Sequence, residues 1–223
     1  YPDIPLRITE VMYHPLAGGN FDVEEYEFIE IQNVEETSLD FSGCRIAGAV
    51  GFEFPAGFAL APKGVTLLVE NPDAFTARYP GASRHVAGQY SGRLGNAGER
   101  IRLEGPMGEP ILDFEYSDLW YPATDGEGRS LVIVDPLASR DSWDLAQSWS
   151  ASADLYGSPG FLEGETPQGG WQRPGDATQD GSLDLSDAIR TLIVLFLGSG
   201  DPMPCGGATP ETGGNLVVFD ING

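Results

Sequence analysis

Hydrophobic and polar residues alternate in short segments over the first 135 positions, and turns containing Gly or Pro separate these segments. A two-residue period predicts β-strands, because successive side chains of a strand point to opposite faces. Short strands at regular spacing predict an antiparallel β-sandwich or barrel, and hence a mainly β fold. The predicted strands are 6–13, 26–33, 41–48, 51–54, 65–70, 100–104, 110–116 and 130–134.

Two of these strands have unusual patterns. In 26–33, "YEFIEIQN", the alternation is regular but includes charged residues, which predicts a sheet that is only partly covered on one face. In 6–13, "LRITEVMY", strict alternation groups Glu10 with Leu6 and Ile8. We therefore interpret 6–13 as a strand with mixed faces.

One short helix interrupts the strands. The segment 71–80, "NPDAFTARYP", offers Asn71 as N-cap, Pro72 at the first helical position and Pro80 as the stop. After residue 135 the sequence becomes rich in Ser, Gly and Pro, and we expect coil packed on the sandwich. We predict three regions: a β-sandwich domain over 1–162, a linker over 163–170 and a small module over 171–223.

The charge of the chain limits its partners. Twelve basic and 34 acidic residues give a net charge of −22, with Lys63 as the single lysine. Such a surface repels phosphate backbones and acidic membranes, so we expect no nucleic-acid partner. The longest apolar run, "LIVLFL" at 192–197, is far shorter than the ~20 residues that span a bilayer, so we expect no membrane insertion. The two cysteines, Cys44 and Cys205, leave a disulfide open.

The segment 175–196, "GDATQDGSLDLSDAIRTLIVLF", has the spacing of a calcium loop. Calcium takes six to eight oxygen ligands, and a 12-residue loop with Gly at the sharp turn supplies them. Gly181 stands at the sixth position of this loop, and the seventh position contributes its backbone carbonyl. The predicted ligands, at loop positions 1, 3, 5, 7, 9 and 12, are Asp176, Thr178, Asp180, Ser182, Asp184 and Asp187.

The loop leads directly into an apolar stripe at helical spacing, formed by Leu185, Ile189, Leu192, Ile193 and Phe196. The alternative is an acidic turn that only caps this helix. Four aspartates within twelve residues repel one another without a counter-ion, so we favour one bound Ca²⁺ ion and an EF-hand-like loop–helix module.

Residues 174–223 resemble a dockerin, a module built from two such loop–helix repeats in which Asp is common at the last loop position. The second repeat begins at "FDING", where Asp220 and Asn222 match the first and third loop positions. That repeat is incomplete at Gly223, so the resemblance predicts a truncated dockerin module and a longer parent protein. A dockerin needs both repeats to bind its cohesin partner.

The strand-rich region resembles a lamin tail domain over residues 5–161. The similarity lies in the order of "ITEVMYHP", "EYEFIEIQN", "LDFSGCRI", "FEFPAGFALAPKGVTLLVEN", "LGNAGERIRLEGPMG", "DGEGRSLVIVDP" and "SWSASADLYGSPG". The resemblance implies an immunoglobulin-like antiparallel β-sandwich and a partner-binding domain. Cys44 stands where the family often has a larger apolar residue, so we expect a buried thiol.

The sequence contains no nucleophile elbow, HExxH motif, P-loop or dinucleotide fingerprint. Among the acids of 22–30, Glu27 is expected to face inward and to need a partner there. His14 is interpreted as a strand-end residue. Tyr90, Trp120, Tyr121 and Trp171 are candidates for an aromatic platform that binds carbohydrate, but we expect these side chains to pack in the fold.

We therefore expect a non-catalytic, secreted bacterial protein that acts outside the cell or on its surface. Its expected function is adhesion, or association with a protein partner or with itself, stabilised by calcium. The alternatives are an accessory fragment of a larger secreted hydrolase and, less favoured, a metal-assisted hydrolase that uses the acids of 22–30.

Overall fold

The computed structural model describes residues 4–161 together with Leu185, Ala188, Ile189, Arg190 and Leu192. The chain divides into two units, residues 1–163 and 164–223. The account below concerns the first unit unless another is named.

The described residues of the first unit are mainly β and include one α-helix, α1, at Pro72–Arg78. Short 3₁₀ turns occur at Val23–Tyr26, Ser83–His85, Pro122–Thr124, Arg140–Ser142 and Ala146–Ser148. The strands are β1 Leu6–Met12, β2 Phe28–Asn33, β3 Leu39–Asp40, β4 Arg45–Gly48, β5 Val50–Glu53, β6 Ala59–Leu60, β7 Val65–Val69, β8 Val86–Gln89, β9 Ser91–Gly92, β10 Arg100–Glu104, β11 Pro110–Glu115, β12 Leu131–Ile133 and β13 Trp149–Ala151.

The strands form two main sheets. The first has the order β13-β12-β1-β2-β7-β8, and all its pairs are antiparallel except β7–β8. The second has the order β11-β10-β4-β5-β9, and a small β3–β6 pair accompanies it. Apolar side chains from both main sheets, such as Ile29 of β2 and Phe114 of β11, share one buried core. This arrangement is the predicted β-sandwich.

A second, smaller core lies on the other face of the six-stranded sheet. There Phe28 of β2 packs with Phe75 and Tyr79, which α1 and its C-terminal end supply. All six residues of β2 and all seven of β1 are buried. The prediction of a partly covered sheet at 26–33 was therefore wrong, because α1 and residues 156–161 cover this face.

The faces of β1 also differ from the prediction. The pairing of β1 with β2 joins Ile8 to Ile31 and Glu10 to Glu30, so two steps on β1 match one on β2. This β-bulge at Thr9 reverses the alternation. Glu10 consequently shares its face with Met12, whereas Leu6 and Ile8 lie in the core between the sheets.

Most predicted strands are confirmed with ends shifted by one or two residues. The predicted strand 41–48 is confirmed only in its second half, as β4, because the chain turns at Ser42–Gly43 after β3. The strands β3, β6, β8, β9 and β13 were not predicted. The segment after residue 135, expected to be coil, contains β13 and the buried Trp143 and Trp149.

Helix α1 confirms the prediction for 71–80. The side chain of Asn71 accepts hydrogen bonds from the backbone N–H groups of Asp73 and Ala74, and Pro72 is the first helical residue. These contacts satisfy N–H groups that have no partner within the helix. The helix stops at Arg78, two residues before Pro80.

Side chains of neighbouring segments contact the outer strands of both sheets. Arg140 Nη1 donates to the carbonyl of Ile111 in β11 at 3.1 Å, and the Glu115 N–H of the same strand donates to Asp144 Oδ1 at 2.7 Å. In β13 the Trp149 carbonyl accepts a hydrogen bond from the Tyr121 hydroxyl at 2.7 Å.

Among the described residues, no helix has the length and hydrophobicity that crossing a membrane requires.

Candidate functional site

The predicted calcium ligands Asp176, Thr178, Asp180, Ser182, Asp184 and Asp187 lie outside the described residues. From the apolar stripe that follows them, Leu185, Ile189 and Leu192 are helical and exposed. Within the part of the chain that the structure describes, no three His, Cys, Asp or Glu side chains are grouped so that they could hold a metal ion. The calcium loop therefore stays a prediction from the sequence.

The most unusual chemical groups of the described residues are three fully buried glutamates, Glu10, Glu27 and Glu30. A carboxylate in an apolar interior is strongly destabilised unless hydrogen bonds or opposite charges compensate for the lost water. Each of the three accepts hydrogen bonds from groups of the sandwich itself. They occupy two separate places, one on each face of the six-stranded sheet.

Glu27 lies on the face that packs against the second sheet, as its alternation with Ile29 and Ile31 predicts. Its Oε2 atom accepts hydrogen bonds from the Tyr90 hydroxyl and from the Leu94 N–H, both at 2.9 Å. Its Oε1 atom is buried and has no hydrogen-bond partner. The predicted inward orientation and the need for a partner are thus both confirmed.

Burial raises the pKa of Glu27 to about 7, and the nearby charge of Glu70 adds to this rise. The two hydrogen bonds to Oε2 act in the opposite direction, because they stabilise the carboxylate. The effect of burial is the larger one, so the pKa of Glu27 is raised.

Glu10 lies on the opposite face of the sheet, where the last described segment of the first unit covers it. Its Oε1 atom accepts hydrogen bonds from the Ser130 hydroxyl at 2.5 Å and from the Ser158 N–H at 2.8 Å. Its Oε2 atom accepts one from the Ser158 hydroxyl at 3.1 Å. One carboxyl group of β1 therefore binds both the residue that precedes β12 and a segment that follows β13.

Glu30 is the cross-strand neighbour of Glu10. Its Oε1 atom accepts a hydrogen bond from the Thr9 hydroxyl and its Oε2 atom one from the Gly160 N–H, both at 2.7 Å. The bulge at Thr9 places the two glutamates on one face, because without it Glu10 would point into the core between the sheets.

The two neighbouring carboxyl groups influence each other. Burial, and to a smaller extent the charge of Glu30, raise the pKa of Glu10 to about 8. The hydrogen bonds from Ser130 and Ser158 lower it only in part. A pair of carboxyl groups in such a site keeps a proton at neutral pH, since two buried like charges repel.

The acids of 22–30 do not converge on one site. Glu27 and Glu30 point to opposite faces of the sheet. Glu25 instead caps the turn at Val23–Tyr26 through the Asp22 N–H and accepts a hydrogen bond from the Asn71 amide. The neighbour of Glu30 across the sheet is Glu10, which lies outside this segment.

The other residues singled out in the sequence lie at strand ends or in the packed interior, where they are described. His14 follows β1, as expected for a strand-end residue, and its Nδ1 atom lies 2.6 Å from Asp125 Oδ1. Cys44 is a buried free thiol, which confirms the prediction made for it. Tyr90 is buried and Trp120 and Tyr121 are partly buried against the core, as the packing interpretation predicts. Trp171 and Cys205 lie outside the described residues.

Sequence analysis missed Glu10, Ser130, Ser158 and Gly160 as members of one cluster. The one available signal was a glutamate inside an otherwise apolar strand, since a charge there requires partners. The partners come from positions more than 100 residues away, and no local pattern reports them.

The family comparison agrees with this architecture. A family model for the lamin tail domain matches residues 3–118. The chain belongs to the lamin tail domain family. A search among curated proteins found no match.

Lamin tail domains form a family of non-enzymatic, immunoglobulin-like domains. The matched range is shorter than the 5–161 over which the sequence resembles the family. In the structure the sandwich continues past residue 118 through β12 and β13, and the latter ends at Ala151. The match does not reach the segment that resembles a dockerin, so that resemblance stays a prediction.

Proposed function

We propose that this lamin tail domain protein is a non-catalytic extracellular module that mediates adhesion or protein association, and that a calcium loop at 176–187 stabilises its C-terminal unit. Association with a second copy of the chain is one form of this function. The sandwich provides the partner-binding surface, and the calcium ion orders the loop ahead of the helix.

The observation that carries the non-catalytic part is the location of the three buried glutamates. Glu10, Glu27 and Glu30 are the carboxyl groups whose surroundings most resemble those of catalytic acids, yet each is at most 1% exposed. A general acid or base has to reach its substrate within hydrogen-bond distance. These three instead bind backbone and side-chain donors of their own domain, which supports a structural use.

The calcium part of the proposal is supported by the spacing of side-chain oxygens from Asp176 to Asp187. Thr in place of Asp or Asn at the third loop position lowers the ligand charge and hence the affinity. A loop of moderate affinity suits the millimolar calcium found outside cells. The acidic composition, −22 overall, supports the same location.

Calorimetric titration of the full chain with calcium tests the proposal, combined with melting curves in calcium and in chelator. We expect one site per chain and a higher melting temperature in calcium. Sedimentation velocity over a range of protein concentrations, in both conditions, then tests for self-association. Lack of calcium binding would refute the calcium part, and a sandwich that hydrolyses a substrate panel would refute the non-catalytic part.

A further inference from the structure

The last segment of the sandwich, residues 156–161, is held on the outer face of the six-stranded sheet. The Tyr156 N–H donates to the carbonyl of Gly128 at 2.5 Å, and the Tyr156 carbonyl accepts from the Tyr79 hydroxyl at 2.8 Å. The Tyr156 ring also lies 5.0 Å from the guanidinium carbon of Arg78. These contacts fix the start of the segment.

The rest of the segment is bound by the glutamate pair. Ser158 donates both its N–H and its hydroxyl to Glu10, and the N–H of Gly160 donates to Glu30. Three hydrogen bonds from this segment therefore end on two neighbouring buried carboxyl groups. The segment in turn shields these carboxyl groups from water.

The fit between the segment and the pair is tight. A Cβ atom on Gly157 would lie 2.3 Å from Glu10 Oε1 and 2.8 Å from the Ser130 hydroxyl oxygen, so no side chain fits there. Gly157 also has a φ of +81°, which glycine adopts readily. Glu10 and Glu30 are each only 1% exposed, so hydration of a second negative charge in the pair requires the segment to move away.

We propose that Glu10 and Glu30 form a carboxylate latch, which holds residues 156–161 on the sheet while the pair keeps a proton and releases them when both groups are ionised. The charge of Glu10 and Glu30 thereby controls whether the last segment of the sandwich, which precedes the second unit in the sequence, stays bound.

The charged and titratable side chains around the latch support the assignment of its pH response to Glu10 and Glu30. Burial and the charge of Glu30 together raise the pKa of Glu10 to about 8. A change of pH around this value therefore changes the charge of the pair. Arg78 and Tyr79 face the latch from the helix side, and burial raises the pKa of Tyr79 further above its usual value. His85, whose ring packs against Gly160, has a pKa lowered by burial and by the charge of Arg84. Arg7, on the same strand as Glu10, donates to the carbonyls of Ile4 and Leu6.

Hydrogen exchange of the full chain tests the latch, measured by mass spectrometry between pH 5 and pH 9 at constant calcium and corrected for the intrinsic exchange rate. Opening coupled to the loss of one proton increases about tenfold per pH unit between the pKa of a free glutamate and that of Glu10. We expect the opening of 156–161 to follow this slope up to about pH 8 and to level off above it. Peptides from β2 should keep their protection, since the event is local.

Glu10→Gln imitates the protonated residue and should keep 156–161 protected across the whole range. Glu27→Gln is the matched control, because it neutralises another buried glutamate on the opposite face and should leave the pH response of 156–161 intact. Equal protection of 156–161 at pH 5.5 and 7.5 in the wild-type chain would overturn the proposal, and this comparison needs no variant. An unchanged pH slope in folded Glu10→Gln would overturn it as well.

Discussion

The indole N–H of Trp143 donates a hydrogen bond to the carbonyl of Ile8 at 3.1 Å, at the point where the register of β1 and β2 shifts. Trp143 is fully buried and 135 residues distant from Ile8 in the chain. A β-bulge interrupts the regular ladder of backbone hydrogen bonds, and here a side chain from another segment binds one of the carbonyls beside it. The bulge that places Glu10 next to Glu30 therefore depends on the segment after β12.

Trp143→Phe should lower the free energy of unfolding by about 2–3 kcal/mol, because it leaves the Ile8 carbonyl without this donor and removes buried ring atoms. Urea unfolding at neutral pH measures the loss. Trp120→Phe is the control, since Trp120 is only partly buried, and should cost less than about 1 kcal/mol. Equal losses for both variants would show that the bond to Ile8 contributes nothing.

Gly157→Ala should destabilise the sandwich by more than backbone strain explains, because its Cβ would collide with Glu10 Oε1. Gly57→Ala is the matched control: its φ of +79° is nearly the same, and no atom lies within 4 Å of the added Cβ. We expect about 1 kcal/mol for Gly57→Ala and about 2–3 kcal/mol for Gly157→Ala. Chemical denaturation of the two variants side by side gives the difference, and equal values would contradict the tight fit.

Glu27 should make the folded state less stable as pH rises. Its pKa is raised from 4.5 in the unfolded chain to about 7 in the fold, so the folded state binds the proton more tightly. This contribution is complete below pH 4.5 and is lost at about 1.4 kcal/mol per pH unit until pH 7, at most about 3 kcal/mol in total. Urea unfolding at pH 5, 6, 7 and 8 should show a shallower slope for Glu27→Gln than for wild type. Identical slopes would mean that Glu27 is already ionised in the folded protein.

Cys44 should react very slowly with thiol reagents in the folded protein. Burial raises its pKa to about 11, so about one thiol in a thousand is ionised at pH 8, and the buried sulfur is also out of reach. The measurement uses Cys205→Ala, which leaves Cys44 as the single thiol, and follows the coloured thiolate that a chromogenic disulfide reagent releases on reaction, with and without urea. We expect the reaction to be at least about a hundredfold faster in urea. A rapid reaction without urea would contradict the burial of Cys44.

Asp180→Ala should lower the melting temperature in calcium and change it little in chelator, because it removes a predicted loop ligand. A tenfold weaker affinity removes about 1.4 kcal/mol of stabilisation at saturating calcium. Asp201→Ala removes the same charge outside the loop and should lower the melting temperature equally in both conditions, if at all. The calcium loop would be ruled out if Asp180→Ala behaved like Asp201→Ala.

Features set by neighbouring residues were predictable from the sequence. The start of α1 depends on Asn71 and Pro72, which adjoin the helix, and Glu27 faces inward because it alternates with Ile29 and Ile31. The bulge at Thr9 was not predictable, since its partners are a second strand and Trp143 far along the chain. Strand β8 could not be predicted for a similar reason. Its sequence, "VAGQ", has little strand propensity and forms a strand by pairing with β7.

The buried glutamates, too, were predictable from the sequence only in part. Each buried glutamate was visible as a charge in a strand, but the pair required the bulge, and its donors required the return of the chain at 156–161. Alternation alone assigned Glu10 to the wrong face, because one extra residue reverses every side chain that follows.

The side chains on the outer strands determine how copies of this protein can meet. An unoccupied row of backbone N–H and carbonyl groups templates the addition of foreign strands, and such growth leads to fibres. In β11 the Arg140 and Asp144 side chains already occupy two of these groups, and in β13 the Tyr121 hydroxyl occupies another. A foreign strand would first have to displace them. At these two edges, copies of the protein would therefore meet through side-chain surfaces, whose contacts can reverse, instead of joining their sheets.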